Sequence, residues 1–132
     1  MSTVLLGLRS LFHPVHPPSD LDRAKAWYTG VLGHEPYFDE PFYVGFDVGG
    51  YELGLIPTDD PDANPTCAWG VPDAEVAVGD LLEAGATVHE EVRDVGGGIR
   101  TAAVVDPLGT IVTVIENPHF ELRPVESPGP GR

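Results

Sequence analysis

The sequence predicts an α+β fold: two βαβββ modules whose helices pack on one face of a mostly antiparallel sheet. Three observations carry that prediction. The order strand, helix, three strands occurs twice, on either side of a turn-rich segment at 58–65. Two stretches with apolar residues at helical spacing each end at a glycine, Gly33 and Gly85. Glycine-rich pairs and triplets, Gly49-Gly50 and Gly96-Gly97-Gly98, separate runs of strand composition as hairpin loops do.

In order, residues 8–15 form the first strand, disturbed by Pro14 and stopped by Pro17 and Pro18. Ser19 or Asp20 supplies a helix cap, and Asp22 adds negative charge to the first turn. Leu21, Ala24, Trp27, Tyr28 and Val31 form the apolar stripe, with Trp27 and Tyr28 expected in the core. Strands follow at 35–40, 42–48 and 51–56. Residues 8–57 make the first module, 58–65 a linker and 66–118 the second module. In the second, a strand at 66–71 precedes a helix from Asp73 to Ala84, then strands at 87–93, 99–105 and 110–116. Asp106-Pro107-Leu108-Gly109 is read as the four-residue loop of the last hairpin. The tail, 124–132, rich in Pro and Gly, is expected to be disordered, within a single-domain chain of 132 residues.

Seven basic and twenty-one acidic residues give a formal charge of −14. That balance argues against nucleic acid or an anionic membrane as partner, since both require basic patches. The start of the chain lacks the basic end and long apolar run of a signal peptide, and no stretch approaches the roughly 20 apolar residues of a membrane span. The one cysteine, Cys67, cannot form an internal disulfide. A cytoplasmic location is expected. By strand parity Cys67 points toward the helices and into the core.

A two-residue Gly-Gly loop sets Val48 opposite Tyr51, Asp47 opposite Glu52 and Phe46 opposite Leu53. One face of that hairpin is apolar and suits the helices. The other carries Tyr43, Gly45, Asp47, Glu52, Gly54 and Ile56, and is either solvent surface or the wall of a concave site. A four-residue loop in the last hairpin sets Val105 opposite Thr110 and Ala102 opposite Thr113. Arg100, Ala102, Val104, Ile111, Thr113 and Ile115 then share a face too apolar for plain solvent surface, which favours a cavity.

Several segments resemble the glyoxalase / bleomycin resistance protein / extradiol dioxygenase (vicinal oxygen chelate) superfamily. They are His13 with Asp20-Leu21-Asp22-Arg23-Ala24 and Trp27-Tyr28, then Val31-Leu32-Gly33, Tyr51-Glu52-Leu53, Trp69-Gly70-Val71-Pro72-Asp73 and Asp106-Pro107-Leu108-Gly109. The resemblance spans about residues 8 to 118 and implies an eight-stranded sheet curved around a cleft, helices on its outer face, and a homodimer. It also implies, in metal-dependent members, a His on the first strand, a Glu on the fourth, a His on the fifth and a Glu on the eighth. His13 and Glu52 match the first two positions; Thr66 and Thr113 stand at the others, and hydroxyls are poor ligands beside imidazole and carboxylate. A divalent metal is thus possible as cofactor but not favoured, with His13 and Glu52 forming half a site that would have to recruit His16, Asp47 or Glu116.

Without metal, His13 is a hydrogen-bonding group, a general base, or a satisfied histidine at a strand end. Glu52 is a base, a ligand-orienting carboxylate, or a partly solvated side chain. Tyr43, Asp47, Thr66, Arg100, Thr113 and Ile115 are expected to line the ligand cleft, Tyr43 stacking on a planar molecule. His89 and His119 are expected at the surface, and Gly96–Gly98 as a flexible loop or lid. Three functions compete: a protein that binds a small organic molecule in the cleft; an isomerase, lyase or dioxygenase using His13 and Glu52, with or without metal; and a non-catalytic interaction scaffold.

Overall fold

A computed structural model describes residues 7–120; the tail at 124–132 lies outside them. Strand β1 (Gly7–Val15) leads through a single 3-10 turn at Pro18–Asp20 into helix α1 (Leu21–Leu32). Three strands follow, β2 (Phe38–Glu40), β3 (Tyr43–Val48) and β4 (Tyr51–Pro57). The second module repeats the order with β5 (Thr66–Gly70), α2 (Ala74–Glu83), β6 (Thr87–Gly96), β7 (Ile99–Val105) and β8 (Ile111–Glu116). All eight strands join one mixed, curled half-barrel sheet in the order β2-β3-β4-β1-β5-β8-β7-β6. The modules meet at the antiparallel pair β1–β5, while β1–β4 and β5–β8 are parallel. The α+β architecture of two βαβββ-like modules is therefore as expected.

The helix ends follow their residue chemistry. Gly33 takes the left-handed conformation, φ +82°, and its N–H donates to Thr29 O. Asp73 is an extended N-cap whose side chain accepts from Val76 N at 3.2 Å. Asp20 stands at the N-cap of α1 without a side-chain cap bond, because the preceding 3-10 turn already leads the chain into the helix.

The convex face of the sheet holds two apolar clusters under the helices. Val15, Leu21, Val44, Phe46 and Leu55 pack with Ala24, Tyr28 and Leu32 of α1. Val71, Ala74, Ala77, Ala102 and Val114 form the counterpart under α2. Trp27 departs from the expected stripe: it is 62% exposed, since the buried side of α1 runs through Leu21, Ala24, Tyr28 and Leu32, one position round the helix. Cys67 likewise is exposed. Its parity does point to the convex face, but it stands in the uncovered strip between the helices, where Leu11 is also 43% exposed.

The Gly49-Gly50 hairpin has the expected register, Asp47 opposite Glu52 and Val48 opposite Tyr51, and the Asp47 carboxylate accepts from Gly50 N at 2.9 Å. The last hairpin is one residue out of the expected register: Val105 pairs with Ile111 and Ala103 with Thr113. Asp106 N donates to Thr110 O at 2.8 Å, and the Asp106 carboxylate accepts from both Leu108 N and Thr110 N. Asp106 thus belongs to the ladder, and the loop is the three residues 107–109, with Gly109 at φ +89° as its left-handed member. One residue of slip turns every side chain of β7 to the opposite face.

Candidate functional site

The concave face is built from alternate residues of the central strands. Ser10 pairs with Glu52 on one side and Ala68 on the other; Phe12 pairs with Gly54 and Thr66; Ala68 pairs with Thr113. These registers set Ser10, Phe12, Glu52, Thr66, Ala68 and Thr113 on one face.

Glu52 is the centre of a polar cluster there, 2% exposed. Ser10 Oγ donates to its Oε1 at 2.5 Å. Tyr37 OH donates to Oε2, and Asn117 Nδ2 reaches Oε2 at 3.3 Å and Tyr37 OH at 3.0 Å. Arg9, the extra residue at the irregularity between Leu8 and Ser10, is 5% exposed; its Nη1 donates to Phe120 O at 2.8 Å, and its guanidinium lies over the Phe120 ring. Burial pulls the Arg9 guanidinium below its ordinary value, and the Glu52 charge opposes that pull. The two glycines of the hairpin make room: a Cβ on Gly45 would stand 2.7 Å from Glu52 Oε2, and one on Gly54 would collide with the Tyr43 hydroxyl.

Tyr37 and Tyr43 both stay protonated far into the alkaline range. Desolvation is the main cause for each, with the neighbouring Glu52 charge adding to it. The Tyr43 hydroxyl is close enough to feel that charge but makes no hydrogen bond of acceptable geometry. Raised folded-state values mean that the native protein holds protons that the unfolded chain releases above about pH 10. This contribution to stability is complete below that pH and is lost progressively as pH rises beyond it. An ultraviolet titration is expected to show Tyr37 and Tyr43 ionising only as the protein unfolds.

Beside this cluster, with Tyr43 as the shared wall, lies a half-enclosed cavity of about 210 Å3. Phe12, Phe42 and Tyr43 supply its aromatic walls, Thr66, Thr101 and Thr113 its hydroxyls, and His89 with Glu90 its mouth. Ile115, fully buried, packs with Phe12 and Tyr43 in the same apolar layer. One end is closed by the tip of the β6–β7 hairpin: Gly96, φ +125°, lies so close to the Phe42 ring that a Cβ there would overlap it, and Gly97 O accepts from His119 Nε2. The loop makes its packed contacts at Gly96 and Gly97, and His119 packs on Phe38 with ring centroids 4.7 Å apart.

The structure brings Glu52, Tyr43, Thr66, Thr113 and Ile115 to the concave side and leaves two candidates elsewhere. His13 pairs with Leu55, a helix-side core residue, so it faces away from Glu52. Its ring stands edge-on to Tyr28, and Nδ1 donates to Pro14 O at 2.9 Å. It borders a wide, open groove along α1 with His16, Asp20 and Trp27, rather than the cleft. Arg100 is the second correction. The slipped register turns it to the helix side, where Glu116 holds it at 2.7 Å, Asp73 at 3.5 Å and Glu75 at 3.7 Å. Glu116 also accepts from Ala74 N, so this group ties α2 to β8. Asp47 holds the hairpin turn, as described above.

The expected half-site for a metal is thereby not assembled. The residues that face Glu52 across the sheet are Asp47 on β3, whose carboxylate holds the hairpin turn, and on the other side Ser10, Ala68 and, beyond, Thr113: one carboxylate, two hydroxyls and a methyl. Both Glu52 oxygens already accept protein hydrogen bonds. Among the described residues no three His, Cys, Asp or Glu side chains come together as metal ligands. The donor set does not fit a divalent transition metal.

No curated protein matches the sequence. Among solved structures, the chain is similar to a protein described as an NAD-dependent benzaldehyde dehydrogenase from Legionella pneumophila (16% identity, TM-score 0.61, covering 81% of this chain and 96% of that one). It is similar to a methylmalonyl-CoA epimerase (14%, 0.60, 89% and 99%). It also matches the Mn(II)-bound glyoxalase from Novosphingobium aromaticivorans (18%, 0.57), covering 98% of this chain but only 44% of that one. At these identities the likenesses establish the fold. The model of the Glyoxalase/Bleomycin resistance protein/Dioxygenase superfamily matches residues 10–114, and the chain belongs to that superfamily.

Proposed function

We propose that the protein binds a small organic molecule in the cavity on the concave face, without a metal at Glu52. The carrying observation is that a half-enclosed space lined by aromatic side chains and threonines lies on the face where both Glu52 oxygens already accept protein hydrogen bonds. A thermal-shift screen of small molecules, run on the wild type and on Thr113→Phe, tests this. Stabilising compounds whose effect disappears in the filled variant are expected. Compounds that stabilise both proteins equally, or a screen with none, would sink the reading.

The exposed side chains of Trp27 and Val31 on α1, 62% and 60% accessible, support a homodimer that covers them. A single exposed thiol suits a reducing, cytoplasmic setting. No helix among the described residues is long and apolar enough to cross a membrane.

A further inference from the structure

We infer that the cavity selects an uncharged, flat, single-ring compound with a polar head that both donates and accepts hydrogen bonds. This rests on the reading of the cavity as a ligand site.

Size sets the first limit. A cavity of roughly 150 Å3 lined by apolar groups holds a benzene molecule. The space here, about 210 Å3 and open on one side, seats one substituted ring, with any larger group left at the mouth. Phe12, Phe42 and Tyr43 offer ring contacts, and Phe12 and Tyr43 stand edge to face at 6.5 Å, which fixes the shape of that wall.

Charge sets the second. No lysine or arginine lines the space. The buried cation nearby in the network, Arg9, is tied to Phe120 O and lies with Glu52, behind the Tyr43 wall. An anion entering the cavity would lose its hydration without gaining a counterion. A cation gains only a solvent-screened counterion at the mouth. Glu52 already accepts from Ser10, Tyr37 and Asn117, and Glu90 stands exposed at the mouth, where solvent screens it. What the lining does offer is three threonines, Thr101 and Thr113 half-buried and Thr66 at the exposed side, whose hydroxyls are each a donor and an acceptor and match a neutral amide, alcohol or phenol.

Benzamide, benzoate and benzamidinium share one ring and nearly one shape, and differ in charge. Isothermal titration of each into the wild type and into Thr113→Val tests the inference. Benzamide is expected to bind, at least tenfold tighter than either charged analogue, and to weaken about five- to tenfold in Thr113→Val, the loss of about one net hydrogen bond. Binding of benzoate or benzamidinium as tight as benzamide, displaced by benzamide, would overturn charge selection while leaving the cavity as a ligand site. No binding of any of the three at millimolar concentration, alongside screen compounds whose effect Thr113→Phe removes, would overturn the ring class alone. Failure of both the trio and the screen would overturn the ligand-site reading itself.

Discussion

Replacing Glu52 with alanine is expected to lower the unfolding free energy by about 3–5 kcal/mol, the range for breaking a buried charged group away from its partners. Three consequences add in the same direction. Ser10, Tyr37 and Asn117 each lose an acceptor while remaining shielded from water. The buried Arg9 guanidinium loses the carboxylate that offsets its desolvation. A void opens on the concave face beside Gly45. Glu52→Gln keeps the volume and one acceptor oxygen, so its effect should be smaller, but it leaves the Arg9 charge uncompensated. Arg9→Met leaves the opposite charge alone. The double variant Arg9→Met, Glu52→Gln should therefore be destabilised by clearly less than the sum of the two singles. Urea denaturation of the four proteins checks this; strict additivity would show that the two charges do not interact.

Gly96→Ala is the second large effect, expected at about 2–4 kcal/mol, from overpacking together with a backbone conformation that side chains rarely adopt. The methyl would enter the Phe42 ring while φ stands at +125°. The β6–β7 hairpin tip would have to lift from Phe42 and Phe38, opening the end of the cavity. Gly109→Ala serves as the control: its φ is also positive, +89°, but nothing lies within 4 Å of the added carbon. It should cost less and leave ligand affinity unchanged, whereas Gly96→Ala should reduce both stability and affinity. Equal effects in the two variants would mean that the Gly96–Phe42 contact does not shape the site.

The part of the fold set by local rules was legible in the sequence. Gly33 and Asp73 end and begin helices through their own backbone and side-chain chemistry, and Gly49-Gly50 fixes a hairpin register within four residues. The last hairpin was misread because Asp106 has two roles open to it, first loop residue or last ladder residue, and only its bonds to Leu108 and Thr110 decide between them. That single residue moved Arg100 from cleft to helix side. His13 was misplaced for a different reason. The facing of β1 is set by its long-range parallel pairing with β4, and no local signal in the sequence says that Ser10, rather than His13, shares a face with Glu52. The same pairing conceals the network, since Ser10, Tyr37 and Asn117 come to Glu52 from 42, 15 and 65 positions away. Tyr37 had a local hint, its place within the residues read as a second strand. The observed strand begins only at Phe38, which leaves Tyr37 on the approach to the ladder. His89 is exposed as expected and stands at the cavity mouth, where the ladder between Val88 and Glu90 is irregular.

Three hollows among the described residues compete for a ligand: the cavity between Tyr43 and Thr113, the open groove beside His13 and Trp27, and a shallower hollow beside Cys67 and Val112. Two-dimensional NMR of the methyl-labelled protein, titrated with the best compound of the thermal-shift screen, distinguishes them. The account predicts shifts at the methyls of Ile56, Val95, Thr101 and Thr113, with Val112 of the hollow beside Cys67 and Ala24 and Val15 of the groove unmoved. Shifts confined to Ala24 and Val15, with the threonines silent, would place the ligand on the outer face and contradict the account.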